Sequence, residues 1–225
     1  MKIGMIGSGS VGQTLGAGLA ALGHEVTIGI RAPSAAEMEK PRQNAETLAA
    51  WAARTGARVA GFAEAAGGAD MVFNATRGDA SLAALGAAGA ANLTGKVLVD
   101  VANPLDFSKG MPPFLIPALS GPTSLGEEIQ KAFPEARVVK AFNTIAAAVM
   151  VDPGKIPGEH DLFLAGNDAG AKDAVAEIAR GFGWTRIVDL GDIVGARASE
   201  ALLPFWVRQW MTGGTPLVNI RVARG

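Results

Sequence analysis

Gly7, Gly9 and Gly12 follow the pattern G-x-G-x-x-G, with Ser8, Ser10 and Val11 between them. Residues of these types at this spacing hold phosphate; they do not break bonds. The first glycine permits a tight turn, the second leaves room for an anion to approach the backbone, and the third lets a helix pack closely on a strand. The free N–H groups and positive dipole end of the helix that follows complete an anion site. Alone the pattern is weak. Here Lys2–Ile6 reads as an apolar strand directly before it, Val11–Leu22 as a helix directly after it, and Glu25 begins a second strand. That is the β-α-β context a dinucleotide pyrophosphate requires.

The end of the second strand bears on which dinucleotide. An acidic residue about twenty positions after the glycines would bond a ribose 2'-hydroxyl. The stretch Thr27-Ile28-Gly29-Ile30-Arg31-Ala32-Pro33-Ser34 holds no acid. Arg31 instead offers a planar cation suited to a 2'-phosphate, so NADP(H) is the expected cofactor. Three later strands end in small or amide-bearing residues: Asn74-Ala75-Thr76, Asp100-Val101-Ala102-Asn103-Pro104, and Lys140-Ala141-Phe142-Asn143. In an open parallel sheet ligands lie beyond such ends. Asn74, Ala75, Thr76, Asn103, Pro104, Ala141 and Asn143 are therefore candidates to position the nicotinamide ribose and ring. Plainer roles compete: Thr76 and Asp79 as helix caps, Asn103 before Pro104 as a turn, Asp100 as an acceptor for loop amides. No residue is assigned as a catalytic acid or base. His24 falls in a helix-to-strand turn and His160 just before a strand, and both read as surface residues.

The elements that must position these residues alternate along the chain. Strands are expected at Lys2–Ile6, Glu25–Gly29, Arg58–Ala60, Asp70–Ala75, Lys96–Val101, Arg137–Phe142, Asp161–Ala165 and Arg186–Leu190. Helices are expected near Val11–Leu22, Ala45–Arg54, Ser81–Ala88, Leu125–Phe133, Ala169–Phe182 and Ala196–Met211. This rhythm predicts an α/β, Rossmann-type, doubly wound and mostly parallel sheet of about eight strands, with a small C-terminal helical subdomain. Residues 1–145 would form the NADP-binding domain, and 146–225 an extension completing the sheet within one compact unit. Residues 103–124 form a long connection whose Met111, Phe114, Leu115 and Ile116 favour a packed lid over a linker. Trp206 and Trp210, four apart, share a helix face that suits core or interface packing.

Composition narrows the chemistry. Hydrophobic residues make up 49% of the 225 positions, enough for a sizeable core, and the net charge of -1 argues against a nucleic-acid partner or a basic membrane patch. No cysteine and only two histidines are present, which excludes thiolate catalysis, disulfides and sulfur or poly-histidine metal sites. No segment reads as a signal peptide or membrane span, so a cytoplasmic protein is expected.

The chain resembles the NADPH-dependent reductases of the deazaflavin coenzyme F-420. The resemblance runs nearly end to end, through Ile6–Gly12, Leu22–Val26, Gly29-Ile30-Arg31, Val138–Ile145, and Gly191–Arg197 with Glu200; the last stretch is foreign to generic Rossmann proteins. It implies an oxidoreductase moving hydride between NADP(H) and a deazaflavin or flavin-like acceptor, often oligomeric, with a homodimer as the simplest case. It also implies that Ser8 to Val11 hold the pyrophosphate, and Ile30 and Arg31 the 2'-phosphate. Two positions depart from the family. Ile30 stands where a hydroxyl residue is usual, with Ser34 as a replacement, and Asn143 stands where a histidine is common. The cytosolic domain of membrane metalloreductases is similar too, and its acceptor is a flavin. A non-catalytic NADPH-binding module and a flavin or ferric reductase are the alternatives. The loop from Lys109 to Ser120 would cover the acceptor.

Overall fold

Short β-branched segments become strands here because alternate side chains find cover on both faces of one sheet. A computed structural model describes residues 1–223; of the C-terminal extension, 224 and 225 lie outside the described residues. The strands are β1 (Lys2–Ile6), β2 (Glu25–Ile30), β3 (Arg58–Gly61), β4 (Met71–Asn74), β5 (Val97–Asp100), β6 (Leu105–Asp106), β7 (Phe114–Leu115), β8 (Arg137–Ala141), β9 (Leu162–Gly166) and β10 (Ile187–Asp189). The helices are α1 (Ser10–Ala21), α2 (Ala35–Glu39), α3 (Leu48–Thr55), α4 (Phe62–Gly67), α5 (Ser81–Ala88), α6 (Ala90–Leu93), α7 (Leu125–Ala132), α8 (Ala147–Met150), α9 (Ala169–Gly181), α10 (Ala196–Ala201) and α11 (Leu203–Gly213).

Eight strands form one sheet in the order β3-β2-β1-β4-β5-β8-β9-β10, and β6 and β7 form a separate hairpin. This is the doubly wound α/β architecture, with its switch point between β1 and β4. Burial follows the period of two. Ile3, Met5, Phe73, Val99 and Val139 face α1, α3, α8 and α9, whereas Ile6, Val72, Leu98 and Val138 face α4, α5, α6, α7 and α10. On the first face Trp51 is fully enclosed, and its indole N–H donates to the Gln13 carbonyl at 2.9 Å.

The mostly parallel sheet of eight strands is as expected; its antiparallel pairing, which the alternation does not locate, is β9 against β8, with Val139 opposite Gly166 and Ala141 opposite Leu164. Several expectations are corrected. The helix expected over Ala196–Met211 is two helices meeting at Leu202, with Pro204 in the first turn of the second, because proline cannot donate its amide to a continuing helix. The helix expected from Ala45 begins at Leu48, capped by Thr47, whose hydroxyl accepts from the Ala50 amide at 3.2 Å. The 103–124 connection folds around the β6–β7 hairpin and a 3-10 turn at Pro117–Leu119. Met111 and Phe114, expected to pack, are exposed, while Leu115 and Ile116 are half-buried. His160 is buried, not on the surface: its ring meets Trp184 edge-on at 5.0 Å, Nε2 contacts the Pro153 carbonyl at 3.1 Å, and Asn219 Nδ2 contacts Nδ1 at 2.8 Å.

Candidate functional site

The glycine loop connects β1 to α1 at the switch point. Gly7 adopts φ +119°, and a Cβ there would fall 2.5 Å from the Ala75 carbonyl oxygen, so only glycine lets β1 and the end of β4 lie this close. A Cβ at Gly12 would stand 2.2 Å from the Gly7 carbonyl, which fixes how tightly α1 seats on the loop. Gly9 differs. It is exposed, and a Cβ added there meets no protein atom within 4 Å. It is the N-cap of α1 and supplies no side-chain cap, and no acid stands in the helix's first turn. The helix therefore opens onto empty space with its first amides uncapped by any side chain, which fits a phosphate group.

Beside this loop, Gly7, Ser8, Ile30, Arg31, Lys40 and Phe62 border a cleft of about 350 Å³. Arg31 lies exposed at its margin. The structure adds cations that the sequence reading missed. Lys40 borders the cleft, and Arg42 reaches Ser8 Oγ at 3.0 Å. Their one sequence signal was two further basic residues within a dozen positions of the second strand. Ser34 is exposed and caps α2 by accepting from the Glu37 amide at 3.1 Å.

The strand ends form a row at one level of the sheet, because register pairs Ile6 with Asn74, Asn74 with Asp100, and Asp100 with Lys140. Asn74 is fully buried; its amide donates to Asp100 Oδ1 at 2.8 Å and Ser81 Oγ at 3.1 Å. Thr76 Oγ1 donates to Asn74 Oδ1 at 2.7 Å, so the Thr76 side chain leans on Asn74 and does not cap α5. Asp79 likewise pairs with Arg77, at 2.5 Å. Asn103 and Asn143 face each other across β5 and β8: Asn103 Nδ2 donates to the Asn143 carbonyl at 2.8 Å, and Asn143 Nδ2 to Asn103 Oδ1 at 3.2 Å. Asn143 Oδ1 is buried and finds no donor among the described residues. Just before it, Phe142 holds φ +63°, a left-handed conformation that a bulky residue seldom keeps unless its surroundings enforce it. Ala75 is half-buried, and Pro104 and Ala141 are buried.

Beneath the row lies an ionic cluster. Lys140 Nζ contacts Asp100 Oδ2 and Glu200 Oε1, each at 2.8 Å, and donates to the Ala102 carbonyl at 2.5 Å. All three charged side chains are at most 4% exposed. Glu200 also accepts the Leu125 and Gly126 amides at the start of α7, at 2.9 and 3.1 Å. Asp100 takes the Ala102 amide at 3.2 Å, the plainer role weighed for it. Sequence reasoning named Lys140, Asp100 and Glu200 separately, but nothing local joins residues sixty positions apart.

Burial disfavours the Lys140 charge, yet Asp100 and Glu200 outweigh it and hold the ammonium above the usual lysine range. A raised folded-state pKa contributes stability in full below the ordinary lysine value of about 10.4, and the contribution is lost as pH climbs through the folded value. The chain has no tyrosine or cysteine to titrate in that window. Urea midpoints should therefore hold near pH 9 and fall above about pH 10.4, more steeply than in a Lys140→Met variant. Parallel curves would show that the cluster does not drive the decline.

Among the described residues, no helix is long and apolar enough to cross a membrane. A family model described as NADP oxidoreductase coenzyme F420-dependent matches residues 2–104. A solved structure from Arthrobacter sp. FB24, described as a candidate F420-dependent NADP-reductase, is 50% identical, with a TM-score of 0.93 over the full length of both chains. Metalloreductase STEAP3 of Rattus norvegicus is 31% identical over 91% of this chain and 38% of its own length. The F420-dependent NADP reductase of Methanocaldococcus jannaschii is 32% identical over 51% of each chain. The chain thus matches about half or less of the length of these two curated relatives.

Proposed function

Because the chain belongs to the coenzyme F420-dependent NADP oxidoreductase family, we propose that it moves hydride between NADP(H) and a deazaflavin or flavin-like acceptor. The bound nicotinamide would supply the hydride chemistry itself. The chain's own residues bind and align. The amides at Ser10 and Val11 receive the pyrophosphate beside Gly9, where nothing in the protein stands in the way. Arg31 receives the 2'-phosphate at the margin of the cleft bordered by the glycine loop and the end of β2. Thr76, Asn103 and Asn143 position the nicotinamide end, with Asn74, Pro104 and Ala141 as their support. Asn143 Oδ1, buried without a donor among the described residues, offers an acceptor for a carboxamide N–H.

The observation that carries this reading is the combination of an open phosphate loop with an enclosed lysine. Lys140 lies behind the strand ends, with three acceptors around its ammonium. It braces the site and is not free to donate a proton to a substrate. A site that aligns two rings without a dedicated acid or base suits direct hydride transfer. The similarity to a metalloreductase over 91% of the chain favours a metal reductase as the competing reading.

Visible absorbance decides between acceptors. Protein mixed with NADPH and oxidised deazaflavin should bleach the deazaflavin band as NADPH is consumed. Turnover with FMN or ferric chelates, and none with deazaflavin, would move the assignment to a flavin or metal reductase. Tight NADPH binding with no oxidation by any of these would favour a non-catalytic module.

A further inference from the structure

The loop between α2 and α3 is tied to the phosphate-binding turn more closely than its irregular sequence suggests. Gln13, on α1, donates through Nε2 to the Glu46 carbonyl at 2.9 Å and accepts the Glu46 amide on Oε1 at 3.0 Å. Arg42 bridges Ala45 across a turn in which Asn44 takes φ +55°. The Arg42 backbone is thereby fixed beside the glycine loop, and its guanidinium lies against Ser8, with the side chain 16% exposed.

That guanidinium is incompletely used. Nη1 donates to the Ser8 hydroxyl, and Nη2 to Glu37 Oε1 at 2.8 Å and weakly to the Glu37 carbonyl at 3.4 Å. Nε is buried and has no acceptor among the described residues. A guanidinium has five N–H donors in a planar fork, and a phosphate monoester has three strong acceptor oxygens. Among the described residues the one anion on Arg42 is the Glu37 carboxylate, which stands in the same cleft as Arg31 and is also approached by Lys40 at 3.6 Å. Glu37 is 31% exposed and belongs to a five-residue helix, so it can swing to solvent at small cost.

We propose that Glu37 and Arg42 form a competitive latch on the cofactor's ribose phosphate. Glu37, which lines the cleft, holds the guanidinium against Ser8 at its edge, and an incoming 2'-phosphate displaces Glu37 to take Arg42 as a second specificity-determining cation beside Arg31. This rests on the cofactor placement proposed above. Removing the carboxylate should then tighten NADPH, which must displace it, and leave NADH unaffected, since NADH carries no phosphate there.

Equilibrium titration of the full chain with NADPH and NADH, followed by calorimetry or nicotinamide fluorescence, tests this without turnover. Arg42→Met should weaken NADPH by about tenfold to a hundredfold, the worth of a charge-assisted hydrogen bond, with NADH changed by about twofold at most. Glu37→Gln should tighten NADPH by about threefold or more, against the same small change for NADH, because the guanidinium no longer has to be released from a carboxylate before it meets the phosphate. The double variant should match Arg42→Met, because Glu37 acts through Arg42. Glu37→Gln that binds NADPH no more tightly overturns the latch, as does a double variant that keeps the Glu37→Gln gain. If Arg42→Met does not fold, the Glu37→Gln titration alone decides. Wild-type protein that fails to prefer NADPH over NADH would instead sink the underlying cofactor placement, a result separate from either variant.

Discussion

Lys140→Met should lower the stability of the folded chain by about 3–5 kcal/mol at neutral pH, the usual cost of stripping one partner from a buried ion cluster. Methionine fills nearly the volume of the lysine stem, so an empty cavity is not the reason. Asp100 and Glu200 would remain enclosed with no cation between them. Each would keep its backbone donors, Ala102 for Asp100 and Leu125 and Gly126 for Glu200, but those amides do not balance two like charges a few ångströms apart. Neutralising the acids should therefore restore much of the loss, and the triple variant Asp100→Asn/Lys140→Met/Glu200→Gln should be more stable than Lys140→Met alone. Urea unfolding followed by circular dichroism measures both. A Lys140→Met midpoint within error of wild type would mean that the cluster is not what holds β5, β8 and α7 together.

The second large effect separates binding from folding at neighbouring glycines. Gly9→Val should reduce affinity for NADP(H) by more than about a hundredfold, an energy of roughly 3 kcal/mol, while leaving the unfolding midpoint nearly unchanged. Gly9 has φ -77° and ψ -172°, an extended conformation any residue adopts, and its Cβ would meet no protein atom. The valine methyls would fill the space a phosphate needs and nothing else. Gly12→Val should behave in the opposite way. Its Cβ would collide with the Gly7 carbonyl at 2.2 Å, so the chain should unfold at markedly lower urea whether or not cofactor is present. Titration and urea unfolding on the two variants check the pair. A stable Gly9→Val protein with wild-type affinity would remove the glycine loop from the binding site.

The contrast between those two glycines also shows what the sequence could and could not disclose. Spacing alone identified the turn, the helix and the strand ends, because each depends on a local period or a residue type confined to a few conformations. Three kinds of fact lay outside that reach. Short helices such as α4, held by packing of Ala65 and Ala66, and α2, capped by Ser34, have too little length for a periodic signal. The reversal of β9 depends on where Asp152–Glu159 carries the chain, and a strand's own residues do not encode its direction. Contacts across long separations, Arg42 with Ser8 and Glu200 with Lys140, arise only once the sheet has formed. His160 looked superficial because it precedes a strand, yet the C-terminal tail covers it through Asn219.

The reversal at β9 also limits what the crevice can contain. From β2 through β1, β4 and β5 to β8, five neighbouring strands end at the same edge. At about 4.8 Å per step they make a row of roughly 19 Å. Beyond β8 the next strand starts where its neighbour stops, so the row of outward-facing termini closes there. For the cofactor placement proposed above, this boundary is one-sided: parallel strand ends continue past β2 to β3 and stop at β8.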